Sequence, residues 1–406
     1  MRRKNKNGSS LLIGIVVLII TIFAGADYDM KNNVMSISHL NYAAGKLGNS
    51  ENSFVPDTRK INFIDSLLTT SYKKGLFNGT ILVAEKGRIL YSGAFGYSNL
   101  KTKDTLSVNT PFQLASVSKM FTAAAIMLLK DKGLLDYDDD LRLYVPDFPT
   151  AGITIRNLLN HRSGLQNYIY VADNYWDRTK VLNNSDIPAL FKNNYIKPFS
   201  PPNHHFNYCN TNYALLALIV ENISGFSFPD FMKTFIFNPL KMRNSYIFSK
   251  SDNNFVPGSA TGFSFYYRGG MKAEIHDYLD GVTGDKGMYS SVEDLFLFDQ
   301  ALYNCPFMKK STVEEAFLPS PDDNGKTKKY GFGWRIRISD DNKKEVYHYG
   351  WWRGFRTYYI REMSDKITVI SLNNRSNVHI NNILCKILWY GDKSDGSGES
   401  IEETDE

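Results

Sequence analysis

Ser116 and Lys119, three residues apart, pair a hydroxyl with an amine and so supply the two groups that nucleophilic catalysis needs. From Ser116 to Leu129 the only charged side chain is Lys119, in a run rich in Met, Phe, Ala, Ile and Leu. A helix apolar on nearly all sides is a buried one, and the spacing puts serine and lysine on one face. Lys130-Asp131-Lys132-Gly133 then supplies cations and a glycine where a helix C-terminus favours them. A lysine in the first turn opposes the helix dipole at a cost of about 0.3–1 kcal/mol. That is a poor place for a structural cation and a good one for an amine that must lose its proton. Burial and the helix end both push it down from about 10.4, and acting as a base near neutrality needs a shift of about 3 units, or about 4 kcal/mol. The same helix end offers the Ser116 N–H to a developing oxyanion. Ser71…Lys74 and Ser98…Lys101 share the spacing, but neither starts a buried helix.

Two further strings extend the set. In Tyr208-Cys209-Asn210 an extended backbone points Tyr208 and Asn210 to one side, anchored by a helix expected from about Asn212 to Ile223 and stopped by Gly225. A phenol beside a lysine can pass a proton to and from the serine. In Glu345 to Gly350 alternation predicts a strand on which His348 and Gly350 share a face. Gly350 would let a substrate backbone lie against that strand, and the Trp351 N–H would be a second oxyanion donor. Taken singly, each string also reads as ordinary structure: a capping serine with a snorkelling lysine, a buried tyrosine with a loop asparagine, a strand histidine with a turn glycine.

Together and in this order, the three strings resemble the serine β-lactamase and penicillin-binding protein superfamily, in the branch with class C β-lactamases, D-alanyl-D-alanine carboxypeptidases and related esterases. Ser116-Val117-Ser118-Lys119 is similar to its Ser-x-x-Lys motif, Tyr208 and Asn210 to its Tyr-x-Asn, and His348 and Gly350 to its Lys-Thr-Gly or His-x-Gly. The segments 153–165, 284–291 and Tyr330-Gly331-Phe332-Gly333-Trp334 are also typical of it, and the likeness runs from about Ile61 to Tyr390. Cys209 stands where the family commonly has serine or alanine, and Trp351-Trp352 where it usually has small residues, so the indoles would narrow or floor the cleft. The resemblance implies an α+β fold: an antiparallel sheet flanked by the terminal helices, with an inserted, mainly helical subdomain and a cleft between them. It implies Ser116, Lys119 and Tyr208 as catalytic, and Asn210, His348, Gly350 and Trp351 as substrate-binding, with His348 tuning Tyr208 electrostatically.

The elements that must position these groups follow from the rest of the chain. Its 406 residues are ample for a large core. A helix is expected over Lys60–Gly75, a hairpin over Gly79–Tyr97, helices and loops from Ser116 to about Gln300, a helix capped by Ser290 with Glu293, three or four strands from Gly331 to Leu372, and a closing helix over Val378–Tyr390. The hydrolase domain is thus 60–390, its sheet part about 60–110 and 330–390 and its helical part about 111–329. Residues 1–26 read as a signal peptide or an N-terminal membrane anchor: four cations, an apolar run from Leu11 to Phe23, then Ala24-Gly25-Ala26. Residues 27–59 read as a linker and 391–406 as a disordered acidic tail. The leader supplies most of the net charge of +5, so the basicity does not argue for nucleic acid. Three cysteines argue for free thiols rather than a disulfide framework, with Cys305–Cys385 pairing left open. No metal or cofactor is expected, since the adjacent His204-His205 has no acidic partner at ligand spacing.

The expected protein is therefore an exported serine hydrolase, in the periplasm or on the outer face of the cytoplasmic membrane. It would form a Ser116 acyl-enzyme with a small molecule or peptide carrying a D-amino acid, lactam or ester carbonyl. The alternative is a non-catalytic or slowly acylating penicillin-binding receptor or cell-wall binding module on the same scaffold. The envelope membrane is a partner if the leader is not cleaved.

Overall fold

Six strands form the main sheet: Gly79–Glu85 (β1), Arg88–Phe95 (β2), Arg335–Ile338 (β3), Lys344–Trp352 (β4), Phe355–Glu362 (β5) and Ile367–Asn373 (β6). Their spatial order is β3-β4-β5-β6-β1-β2, antiparallel throughout, so both ends of the chain build it as expected. Two joints are two-residue loops with both residues at positive φ, Lys86-Gly87 between β1 and β2 and Arg353-Gly354 between β4 and β5. Such turns match the twist of paired strands. The computed structural model describes residues 57–390 apart from 268–269, 321–324, 326–328, 340–341 and 377–379. The leader, the tail and residues 27–56 of the linker lie outside the described residues. The linker's last residues do not: Asp57 caps a helix that already begins at Thr58, its carboxylate accepting from the N–H groups of Arg59 and Lys60.

That helix, Thr58–Lys73 (α1), is the first of six that matter here, followed by Ser118–Asp131 (α2), Tyr168–Tyr175 (α3), Asn210–Ser224 (α4), Val292–Asn304 (α5) and Asn381–Leu388 (α6). Ile64 and Leu68 of α1 and Leu384, Ile387 and Leu388 of α6 pack with Ile81, Val83, Ile360 and Val369 in one apolar layer. Alternation turns Tyr359, Arg361 and Thr368 to the other face, where they meet Asp299 of α5. Every residue of α2 from Ser118 to Leu129 is buried, as its composition requires. Helix α4 begins at Asn210, two residues before the expected start, and ends where Gly225 turns left-handed. The cap of α5 is Ser291, which accepts from Asp294 N–H. Ser290 cannot cap, because it lies in the short strand Met288–Ser290 and its hydroxyl meets Ser245. The three cysteines are free thiols.

Among the described residues no single helix is long and apolar enough to cross a membrane. The bent pair Asn210–Ser224 and Phe228–Phe237 passes by length and composition together, and Thr211 to Val220 of it are buried in the core.

Candidate active site

The chain meets its nucleophile in a tight turn. Leu114 leads into a 3-10 turn over Ala115–Val117, and α2 starts at Ser118. Ala115 sits at φ +50, a left-handed conformation that costs a non-glycine residue about 1–3 kcal/mol. The turn is clamped from several sides. Leu114 N–H donates to the Met288 carbonyl at 2.7 Å, and the Thr357 hydroxyl on β5 donates to the Leu114 carbonyl at 2.6 Å. Gly350 on β4 closes the clamp: a Cβ there would stand 2.3 Å from the Leu114 oxygen and 2.9 Å from the Ser116 nitrogen. Only glycine fits. The space its missing side chain leaves is filled by the nucleophile's own turn.

Lys119, fully buried on the first turn of α2, donates to Ser116 Oγ at 3.0 Å and to the Asp285 carbonyl at 3.0 Å. That carbonyl is aimed by Gly284, at φ +95, whose missing side chain admits the Tyr213 carbonyl and Ala217 of α4. The Gly284 carbonyl accepts from Thr122, one helical turn along α2. Tyr208 lays its ring 4.9 Å from Lys119 Nζ, so the serine, lysine and phenol expected to act together do come together. Asn210 is the first residue of α4 and lines the same cleft. Its buried side-chain oxygen has no hydrogen-bond donor among the described residues, leaving an acceptor beside the nucleophile.

His348 is 1% exposed and does not line the cleft. Its Nε2 meets the Tyr330 hydroxyl at 3.1 Å and its Nδ1 the Tyr349 carbonyl at 2.7 Å. Burial, then the charges of Arg335 and Lys119, hold its pKa well below the usual histidine value. The ring is neutral at pH 7 and sits behind Tyr208, centroids 6.2 Å apart, so it neither touches a substrate nor brings a cation to the phenol.

Sequence reasoning passed over three of the groups that hold the phenol. His161 stacks on Tyr208 with centroids 4.3 Å apart, and its Nδ1 accepts from Cys209 N–H at 3.2 Å while meeting Asn212 Nδ2 at 3.1 Å. Burial, followed by Lys119, His348 and Arg335, keeps it neutral too. Tyr330 lies 4.9 Å from the His161 ring, and Arg335 stands 5.3 Å from the Tyr208 ring. His161 and Tyr330 belong to segments already notable for their resemblance, which was the available signal. Cys209 is buried, with its thiol pushed up by burial.

The cleft encloses about 1010 Å³. Tyr170 of α3, Phe199 and Trp351 are the most exposed aromatics of its wall, Trp351 at 51% with Arg356 stacked on its indole. Trp352 donates from its indole to Asp280 at 2.9 Å. Two cations on the wall are already engaged. Lys286 donates to the Tyr168 hydroxyl at 2.8 Å and to the Leu279 and Val282 carbonyls, and Arg353 pairs with Asp277 and Asp280. Burial works to raise Asp280, but His276, Lys286 and Arg353 outweigh it and hold its pKa at about 2.

A clamped serine bonded to a buried lysine, with a phenol over the amine, on this sheet and helical insert, defines the β-lactamase and transpeptidase-like class of serine hydrolases. Comparison with protein families agrees: residues 64–379 match the beta-lactamase family, and the chain belongs to it. Among its relatives, penicillin-binding protein 4* of Bacillus subtilis (strain 168) is 39% identical over 328 residues, covering 78% of this chain and 72% of that protein. A D-aminopeptidase of Gluconobacter oxydans (strain 621H) is 25% identical over 73% of this chain, which spans only 55% of that enzyme's length. Among solved structures, the octameric penicillin-binding protein homologue from Pyrococcus abyssi superposes with a TM-score of 0.68 at 25% identity, covering 78% of this chain and 74% of that one.

Proposed function

We propose that the protein is an exported hydrolase that opens amide, lactam or ester bonds through an acyl-enzyme on Ser116, acting on a small molecule or on a peptide with a D-amino acid. The observation that carries the reading is the 3.0 Å contact between Ser116 Oγ and Lys119 Nζ at the floor of the cleft. Lys119, once deprotonated, takes the Ser116 proton as Oγ attacks the carbonyl carbon. The N–H groups of Ser116 and Trp351 hold the resulting oxyanion, one such donor being worth about 10²–10³ in rate. Tyr208 gives its proton to the departing nitrogen or oxygen as the scissile bond breaks. In the second half the Tyr208 oxygen takes a proton from water, the hydroxide attacks the acyl carbon, and Ser116 leaves with the proton held by Lys119. Asn210 accepts from the substrate amide.

The cleft wall narrows the substrate. Lys286 and Arg353 are engaged by protein groups, whereas Glu274 lines the cleft and, among the described residues, accepts a hydroxyl from Tyr266 at 3.0 Å. That balance favours a substrate whose ammonium rather than carboxylate meets this wall, a preference in keeping with the D-aminopeptidase among the relatives. Export rests on the composition of residues 1–26.

Intact-mass measurement after exposure to a fluorophosphonate, a fluorescent penicillin and a panel of D-amino-acid amides and esters tests the proposal. One adduct on the wild type, lost in Ser116→Ala, with turnover of at least one panel member, is expected. Equal labelling of both proteins refutes the nucleophile. A single burst without turnover would make the protein a receptor.

A further inference from the structure

Arg335 opens β3 at the edge of the sheet and is 7% exposed. A buried guanidinium is always charged, and burying such a charge is costly unless a carboxylate shares the site. Arg335 has no ion pair among the described residues, and its Nε is buried without a hydrogen-bond partner. What surrounds it is aromatic: the Tyr349 ring at 4.6 Å and the Tyr208 ring at 5.3 Å. It does not itself line the cleft and lies against the ring of Tyr208, which does.

The groups that face this cation and Tyr208 come from every neighbouring element. They are Lys119 on α2, His161 ahead of α4, Tyr213 on α4, Tyr330 before β3, and His348 and Tyr349 on β4. Both histidines are neutral, so around the phenol the standing positive charge is Arg335 and, when protonated, Lys119. His348 on β4 brings no charge to the phenol, and the cation comes from the adjacent strand.

We propose that Arg335 is a positioning residue for the hydrolytic half-reaction, placed to stabilise the negative charge on the Tyr208 oxygen while that oxygen takes the proton from water. The role rests on the Ser116 acyl-enzyme reading and adds no bond-making step to it. Tyr208 loses its proton to the leaving group in acylation and regains one from water in deacylation, and Arg335 acts through Tyr208 alone.

The test is the pH dependence of deacylation, followed by intact mass on the preformed adduct of the full-length chain. An opposite charge within about 4–6 Å shifts a titration by about 1–3 units. Arg335→Met should therefore move the acidic limb of the deacylation profile up by that amount and slow deacylation at pH 7 by about 10- to 10³-fold. Its melting temperature should be at or above the wild-type value, because an unpartnered buried cation has been removed. Arg335→Lys should keep the limb within about half a unit. In a Tyr208→Phe background Arg335→Met should change nothing further. A wild-type limb in a normally melting Arg335→Met overturns the proposal. So does failure of both Arg335→Met and Arg335→Gln to fold, which would make the residue structural. A wild type that forms no adduct refutes the Ser116 reading itself, whereas an unmoved limb on a normal adduct refutes only Arg335.

Discussion

Of the arginines buried among the described residues, Arg361 and Arg335 are treated in opposite ways. Arg361 on β5 is fully buried and donates to Asp299 of α5 at 2.7 Å, with Thr368 and Tyr359 on the same carboxylate oxygen and the Tyr303 ring 4.2 Å from the guanidinium. Arg335 on β3 has aromatic rings and no carboxylate. A charge with its counter-ion serves the join between helix and sheet. A charge left without one costs stability, and a cost of that kind persists where it acts on something else. In the proposed mechanism that something is the phenol over Lys119.

The contrast can be broken at its strongest point first. Lys119→Met removes the amine that takes the serine proton. Ser116 acylation should fall by about 10⁴-fold, while the melting temperature stays level or rises because a buried amine has gone. A variant that labels at the wild-type rate would end the assignment. The paired side answers differently. Asp299→Ala leaves the Arg361 guanidinium buried and unmatched, and urea unfolding should show a loss of about 3–5 kcal/mol, with the labelling rate per folded molecule unchanged. A loss under 1 kcal/mol would show that the aromatic rings alone satisfy Arg361.

The smallest effect comes from the neutral histidines on the catalytic side. His161 and His348 are held well below the ordinary histidine range, so below about pH 6.5 the unfolded chain binds protons that the folded one refuses. Stability is level above that pH and declines beneath it, by up to about 1.4 kcal/mol per pH unit for each ring. Unfolding free energies from urea titrations at pH 7 and pH 5 should differ by about 2–4 kcal/mol, and His348→Gln should remove about half of the difference. A flat profile would mean that both rings are charged in the folded protein.

Much of this was legible in the residues. The hairpin over Gly79–Tyr97, the terminal helices and the four C-terminal strands follow from periodicity and turn residues. Ser116, Lys119 and Tyr208 followed from one buried helix and one polar loop. Decoys were separable on the same grounds: Ser71 bonds the Leu67 carbonyl inside α1, and Ser98 bonds the Asp104 carbonyl. What spacing could not reveal is what fills the room a glycine leaves, and Gly350 proved to face the serine's turn. Nor could it reveal whether a strand histidine is charged, since that depends on burial set by Tyr330 and Tyr349 from other strands. Arg335 was invisible for a related reason. It sits in Arg335-Ile-Arg-Ile, an alternation in which two identical residue types end differently: Arg337 pairs with Glu345 and Arg335 with no acid.

The short stretch from Leu114 to Val117 is fastened at once to β4, to β5 and to the Met288 strand, which carry the sheet on one side and the helical insert on the other. It works as a rivet through the seam between the two. Any loosening of that seam, well before either part melts, releases the strained Ala115 and lets the serine swing away from its amine. Catalytic competence is thus a property of the joint rather than of either partner, and enzymatic silence becomes the first sign that the joint has opened.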